Sequence, residues 1–186
     1  MNTHYFIRPL LCLWSLSTLG SCISGEQCVE CVPDLTETVT IATLYWIPTD
    51  NPTDTIRATL NDPSMQETLR GTGEVVLLKA NTHYQMHLDM WNEQRTPSEH
   101  VAQNVRNEGT AHQIFYAVPP ILDLQLQYAD VDTSGNPIGL TMNAQTGNAS
   151  SDTLRVLMML EVYGKDNSPE TGDEEIDIRF PIVIQP

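Results

Sequence analysis

Three groups of residues in this chain have the types and spacing to do chemistry. The stretch HYQMHLDM, residues 83–90, alternates polar and apolar side chains. As a strand it would carry His83, Gln85, His87 and Asp89 on one face and Tyr84, Met86, Leu88 and Met90 on the other. His112 opens a further apolar run, HQIFYAV, that could pair alongside. Imidazoles and a carboxylate sharing an open sheet face could hold Zn²⁺ or Cu²⁺. Four strand residues span roughly 13 Å, so His83 and His87 could bind one ion only with donors from a neighbouring strand or a bulge. An ordinary polar outer face would place the same side chains.

The second group, Asp130-Val131-Asp132-Thr133-Ser134-Gly135-Asn136, reads like the start of a calcium loop. Its twelfth position, counted from Asp130, is Thr141, where such a loop needs a bidentate glutamate. Asp, Ser, Gly and Asn also suit a hairpin turn, because they tolerate positive φ and bond their own backbone. The third group is Cys28 and Cys31, a single C-x-x-C. Without a second pair it is half a zinc site, and in an oxidising compartment the two thiols would instead close a small disulfide.

No G-x-S-x-G, H-E-x-x-H or phosphate-cradling glycine loop occurs, and neither of these cysteines has a histidine near it in sequence. The acids Asp173, Glu174 and Glu175 stand in a charged run that reads as a solvated loop. The expectation is a chain without catalytic activity, with no catalytic or cofactor-binding residue assigned and Ca²⁺ or Zn²⁺ as the only cofactors the residues suggest. A carbohydrate-stacking groove would have to come from Trp46 and Trp91, residues that a sandwich more often uses as core.

The elements that must position these residues are almost all strands. Residues 36–47 (TETVTIATLYWI) are β-branched and aromatic, with Val39, Ile41, Thr43 and Tyr45 on one face. A Pro/Asn/Asp turn leads to a second strand at 53–60, with Ile56, Ala58 and Leu60 facing together, and residues 61–64 close that hairpin. Gly71 and Gly73 bracket a loop ahead of Val75-Val76-Leu77-Leu78, which reads as an inner strand. After residues 83–90, a short helix is expected from an N-cap near Ser98 to Gly109, with Val101 and Val105 four apart. Strands follow at 112–118, 122–128, 154–163 and 176–184, the last containing Pro181, which requires an edge, a bulge or a break. Short strands without long alternating helices predict an all-β, antiparallel, immunoglobulin-like sandwich of about eight strands with one connector helix.

The first residues give an address. One basic residue, Arg8, precedes an apolar run over 10–19 and then Leu19-Gly20-Ser21-Cys22. That run is shorter than the roughly 20 residues a spanning helix needs, so residues 1–21 read as a signal peptide. Its ending resembles a lipobox, which makes Cys22 the lipidated first residue of the mature protein, followed by a tether over 22–35 and one domain over 36–186. The whole chain carries 24 acidic and 9 basic side chains, a formal charge of −15. Such a surface repels phosphate backbones and excludes nucleic acid as an expected partner. Asp54-Thr55-Ile56 and Asp152-Thr153-Leu154 look like short acceptor motifs for O-glycosylation in envelope proteins.

The lipobox, the segment Ala111-His112-Gln113-Ile114-Phe115-Tyr116, the run from Tyr128 to Leu140 (YADVDTSGNPIGL) and the terminal Glu175-Ile176-Asp177-Ile178-Arg179-Phe180-Pro181 together resemble a family of small outer-membrane lipoproteins of the Bacteroidetes. The resemblance covers most of residues 36–185. It implies a lipid-anchored envelope protein, on the periplasmic face or the cell surface, working beside an outer-membrane transporter. Some members of that family are labelled "type 1 periplasmic binding fold", which implies an α/β architecture. No βαβ unit is visible here, so the fold expectation stays with the sandwich. Two functional readings follow: an accessory binding lipoprotein, or a metal-capturing one using His83, His87, His112, Asp130 and Asp132.

Overall fold

The computed structural model describes residues 37–63, 69–161 and 164–186. Among these, ten strands, against about eight expected, form two sheets that enclose one core, the all-β sandwich that the strand pattern predicts. Sheet A takes β1 (Ile41–Pro48), β2 (Ile56–Asn61), β5 (His83–Trp91), β7 (Leu124–Tyr128) and β8 (Thr141–Thr146) in the order β2-β1-β5-β8-β7, every pair antiparallel. Sheet B orders β3 (Leu69–Thr72), β10 (Asp173–Gln185), β9 (Ser150–Leu160) and β6 (His112–Ala117), and β4 (Val76–Lys79) also pairs with β10. Both β3 and β4 run parallel to β10, a departure from the purely antiparallel expectation.

Alternation decides which side chains enter the core. In β5, Tyr84, Met86, Leu88 and Met90 are buried, as expected. β1 is apolar on both faces, and the set that goes inside is Ala42, Leu44 and Trp46, not the face of Ile41 and Tyr45. Leu44 and Trp46 remove more apolar surface from water than the alternative set, which favours this register. The run at 75–78 is not an inner strand: Val76 and Leu78 are buried while Val75 and Leu77 are half exposed, because only one of its faces meets the opposite sheet.

Pro181 resolves in an instructive way. It lies within β10, whose far edge is covered by two short pieces: β3 alongside Ile176–Arg179 and β4 alongside Ile182–Gln185. The Arg179 carbonyl accepts from the Gly73 N–H at 2.8 Å on that side. Residues two apart direct their backbone groups to the same side, so the N–H that proline lacks falls in the gap between β3 and β4. No ladder bond is lost.

The connector helix α1 (Val101–Asn107) starts later than the Ser98 cap expected for it. Glu99 exchanges backbone hydrogen bonds with Asn92 at 2.9 and 3.0 Å, which keeps residue 99 extended, and His100 becomes the N-cap without capping the helix through its side chain. Val101, Ala102 and Val105 are buried under the sheets. Two tyrosines fasten the opposite sheets near the β7–β8 connection. The Tyr128 hydroxyl donates to the Ile114 carbonyl at 2.8 Å, and the Tyr116 hydroxyl donates to the Gly139 carbonyl at 2.7 Å. Gly139 has φ +95 and a Cβ there would sit 2.6 Å from the Ile114 carbonyl oxygen, so only glycine lets this corner close. Tyr128→Phe is expected to lower stability by about 1–2 kcal/mol, read as a shift of the urea midpoint at constant slope.

Candidate functional site

The outer face of sheet A carries the polar side chains that the alternation of β5 predicted, and β8 and β7 extend it. Register places His83 opposite Gln145 and Gln145 opposite Gln125, forming one transverse row. Gln85, Asn143 and Gln127 form the next, and His87 with Thr141 a third. On the other side of β5, Tyr45 stands opposite His87 and Ile47 opposite Gln85. The six residues of the first two rows are all solvent-exposed, while Tyr45 and Ile47 are half-buried. A shallow depression of about 270 Å³ opens over His83, Gln125, Gln127, Asn143 and Gln145.

The third row is internally tied. His87 Nδ1 lies 3.2 Å from the Thr141 hydroxyl and Nε2 lies 3.1 Å from Gln85 Oε1. A proton on Nε2 satisfies both contacts, since the amide oxygen can only accept and the hydroxyl can donate to Nδ1. Burial pushes the His87 pKa down and Arg106 adds to this, outweighing Asp130, so the ring is neutral at pH 7. By contrast, the amides of Gln125, Gln127, Asn143 and Gln145 have no side-chain hydrogen bond to another described residue.

The histidine constellation suggested by the sequence is divided by the fold. Asp89 does share the face with His87, yet its carboxylate is taken by Trp91 Nε1 at 2.9 Å and by His100 Nε2 at 2.7 Å, and the Trp91 and His100 rings stack 4.4 Å apart. His100 had no periodic signal, because it belongs to the connector that folds back over β5. His112 is not beside the others: it is fully buried on β6 in sheet B. Its Nε2 faces Glu175 Oε2 at 3.3 Å. Glu175 is likewise buried, not part of a solvated acidic loop, and its other oxygen accepts the Glu37 N–H at 2.6 Å. Among the described residues no group of three or more His, Cys, Asp or Glu side chains is arranged to hold a metal ion.

The segment over residues 130–136 is a turn whose carboxylates are consumed by the protein itself. Asp132 Oδ1 accepts the N–H groups of Ser134 and Asn136 at 2.8 and 3.0 Å, and Oδ2 stands 3.2 Å from the fully buried ammonium of Lys165. Asp130 accepts the N–H groups of Gly139 and Thr141. Burial alone would push the Asp132 pKa up, but the Asn136 and Ser134 N–H groups and Lys165 outweigh it and hold the carboxyl below its ordinary value.

Trp46 is core, edge-on to Tyr84 at 6.0 Å. Thr55 lies exposed after the short 3-10 turn at Pro52–Asp54, whereas Thr153 is paired within β9 opposite Pro181. Cys22, Cys28, Cys31 and the signal segment lie outside the described residues. Compared with protein-family models, curated proteins and solved structures, the chain matches none of them.

Proposed function

We propose that this chain is a lipid-anchored binding module of the cell envelope, without catalytic activity, that presents the outer face of sheet A to its partner. The observation that carries the reading is the pair of transverse rows on that face: exposed side chains set in register on three strands, four of them the amides of Gln125, Gln127, Asn143 and Gln145, which have no side-chain partner among the described residues. A solvated face of a small acidic domain is ordinarily populated by charged side chains, which keep it soluble. Here charge is absent from the rows and hydrogen-bonding capacity is concentrated. The lipobox-like Leu19-Gly20-Ser21-Cys22 supports attachment to the outer membrane, where a transporter is the expected neighbour.

The test is site-specific photocrosslinking of the full chain in intact envelopes. A photoreactive residue at Asn143 is expected to label a large fraction of the chain, and the same residue at Arg179, exposed on the outer face of sheet B, only a background fraction. Adding Gln127→Ala and Gln145→Ala should reduce labelling from position 143 by about tenfold while leaving the melting temperature unchanged. Equal labelling from both faces would rule out sheet A as the docking surface.

A further inference from the structure

Resting on the reading that the outer face of sheet A is the docking surface, we infer that its occupant is a neutral polysaccharide chain laid across β5, β8 and β7. Three observations select this chemistry. The first is charge: none of the eight residues in the three rows is Asp, Glu, Lys or Arg, in a chain whose formal charge is −15. A polyanion would be repelled by the field of the whole protein, and a cationic partner would be drawn to the carboxylates elsewhere on the surface. A neutral polyhydroxylated ligand meets neither penalty.

The second is hydrogen-bonding type. A primary amide offers one carbonyl acceptor and two N–H donors in a plane, which matches the paired donor and acceptor character of adjacent sugar hydroxyls. Gln125, Gln127, Asn143 and Gln145 present four such groups without internal partners among the described residues, and exposed His83 adds an imidazole to the same depression. The third is spacing. Neighbouring strands lie about 4.8 Å apart and the two amide rows about 6.8 Å apart along the strands. An extended glycan advances by roughly one strand spacing per sugar, so a chain crossing the strands sets one ring over each of β5, β8 and β7, between the His83, Gln145, Gln125 row and the Gln85, Asn143, Gln127 row.

The experiment is affinity electrophoresis of the detergent-solubilised full chain through gels containing, one at a time, xylan, mannan, dextran, hydroxyethylcellulose or polygalacturonate. At least one of the four neutral polysaccharides is expected to retard the chain, with retardation unchanged between about 0.05 and about 0.5 M salt because no ion pair is involved. The Gln127→Ala, Asn143→Ala, Gln145→Ala triple variant should lose about tenfold or more in apparent affinity at an unchanged melting temperature. No retardation by any neutral polysaccharide, retardation confined to polygalacturonate, or equal retardation of the triple variant would each overturn the glycan assignment. The parent reading fails separately: if position 143 labels a protease-sensitive partner and no glycan retards the chain, the face stands and its occupant is a protein.

Discussion

Replacing Lys165 by methionine is expected to cost about 3–5 kcal/mol of folding stability, measured by urea unfolding at pH 7. The Lys165 ammonium is fully buried, 3.2 Å from Asp132 Oδ2, and donates to the Pro137 carbonyl at 2.7 Å. Methionine keeps most of the apolar stem, so lost packing is a minor contribution. What remains is a carboxylate oxygen with its counter-ion gone and water excluded. Asp132 cannot turn outward to recover hydration, because its other oxygen holds the Ser134 and Asn136 N–H groups that form the turn. Arg70→Met provides the comparison: Arg70 meets Glu174 at 2.6 Å, but its side chain is 65% exposed, and such pairs contribute about 0–1 kcal/mol. Equal and small losses in the two variants would show that the Lys165 pair is hydrated in solution.

The second large effect is a loss of stability as pH rises from about 5 to about 8, centred on Glu37 and His112. Burial pushes the Glu37 carboxyl up to about 7, against an opposing hydrogen bond from Asn104 and the charge of His112, while Glu99 and Glu108 push it further up. A carboxyl whose folded pKa is raised binds its proton more tightly in the folded state. Folding is therefore unpenalised below the unfolded value near 4.5 and loses stability as pH rises from there through 7, by a total of about 3 kcal/mol. His112 acts in the same direction. Burial lowers its pKa, but the hydrogen bond and charge of Glu175, with the Glu108 carbonyl and Glu37, raise it overall. Its contribution is present below the unfolded value near 6.5 and disappears as pH rises through the folded one.

On the acid side, Arg155 beside Asp177 holds that carboxyl below its ordinary value, so its contribution disappears only as pH falls below about 4. The melting temperature should peak near pH 5 and fall by roughly 6–12 °C towards pH 8. Glu37→Gln, which keeps the backbone N–H on Glu175, should flatten most of that fall and exceed the parent at pH 8. A parallel decline in parent and variant would assign the pH dependence to the general acidic surface instead.

Much of the sandwich was legible because strand alternation is a local signal. Tyr84, Met86, Leu88 and Met90 announced both the strand and its buried face, and the turn chemistry of Asp130 to Asn136 announced the hairpin. β8 has no clear local signal, because TMNAQT buries only Met142, Ala144 and Thr146, too little apolar contrast to stand out. β3 has none either, because LRGT is held by parallel pairing to a strand about a hundred residues later, which no short window contains. The correct inner face of β1 was equally hidden: Ile41 and Tyr45 are as apolar as their neighbours, and only the opposing sheet chooses between them.

The candidate site divides along the same line. By itself the sequence determined that His83, Gln85, His87 and Asp89 share a face, since a period of two follows from backbone geometry alone. Only the tertiary structure decided what stands beside them. Strand order brought Asn143, Gln145, Gln125 and Gln127 to that face, sent His112 into the opposite sheet against Glu175, and gave Asp89 to His100. Side-chain direction along a strand is set within a few residues, whereas neighbours across a sheet are set by which distant segments bury the most apolar surface together.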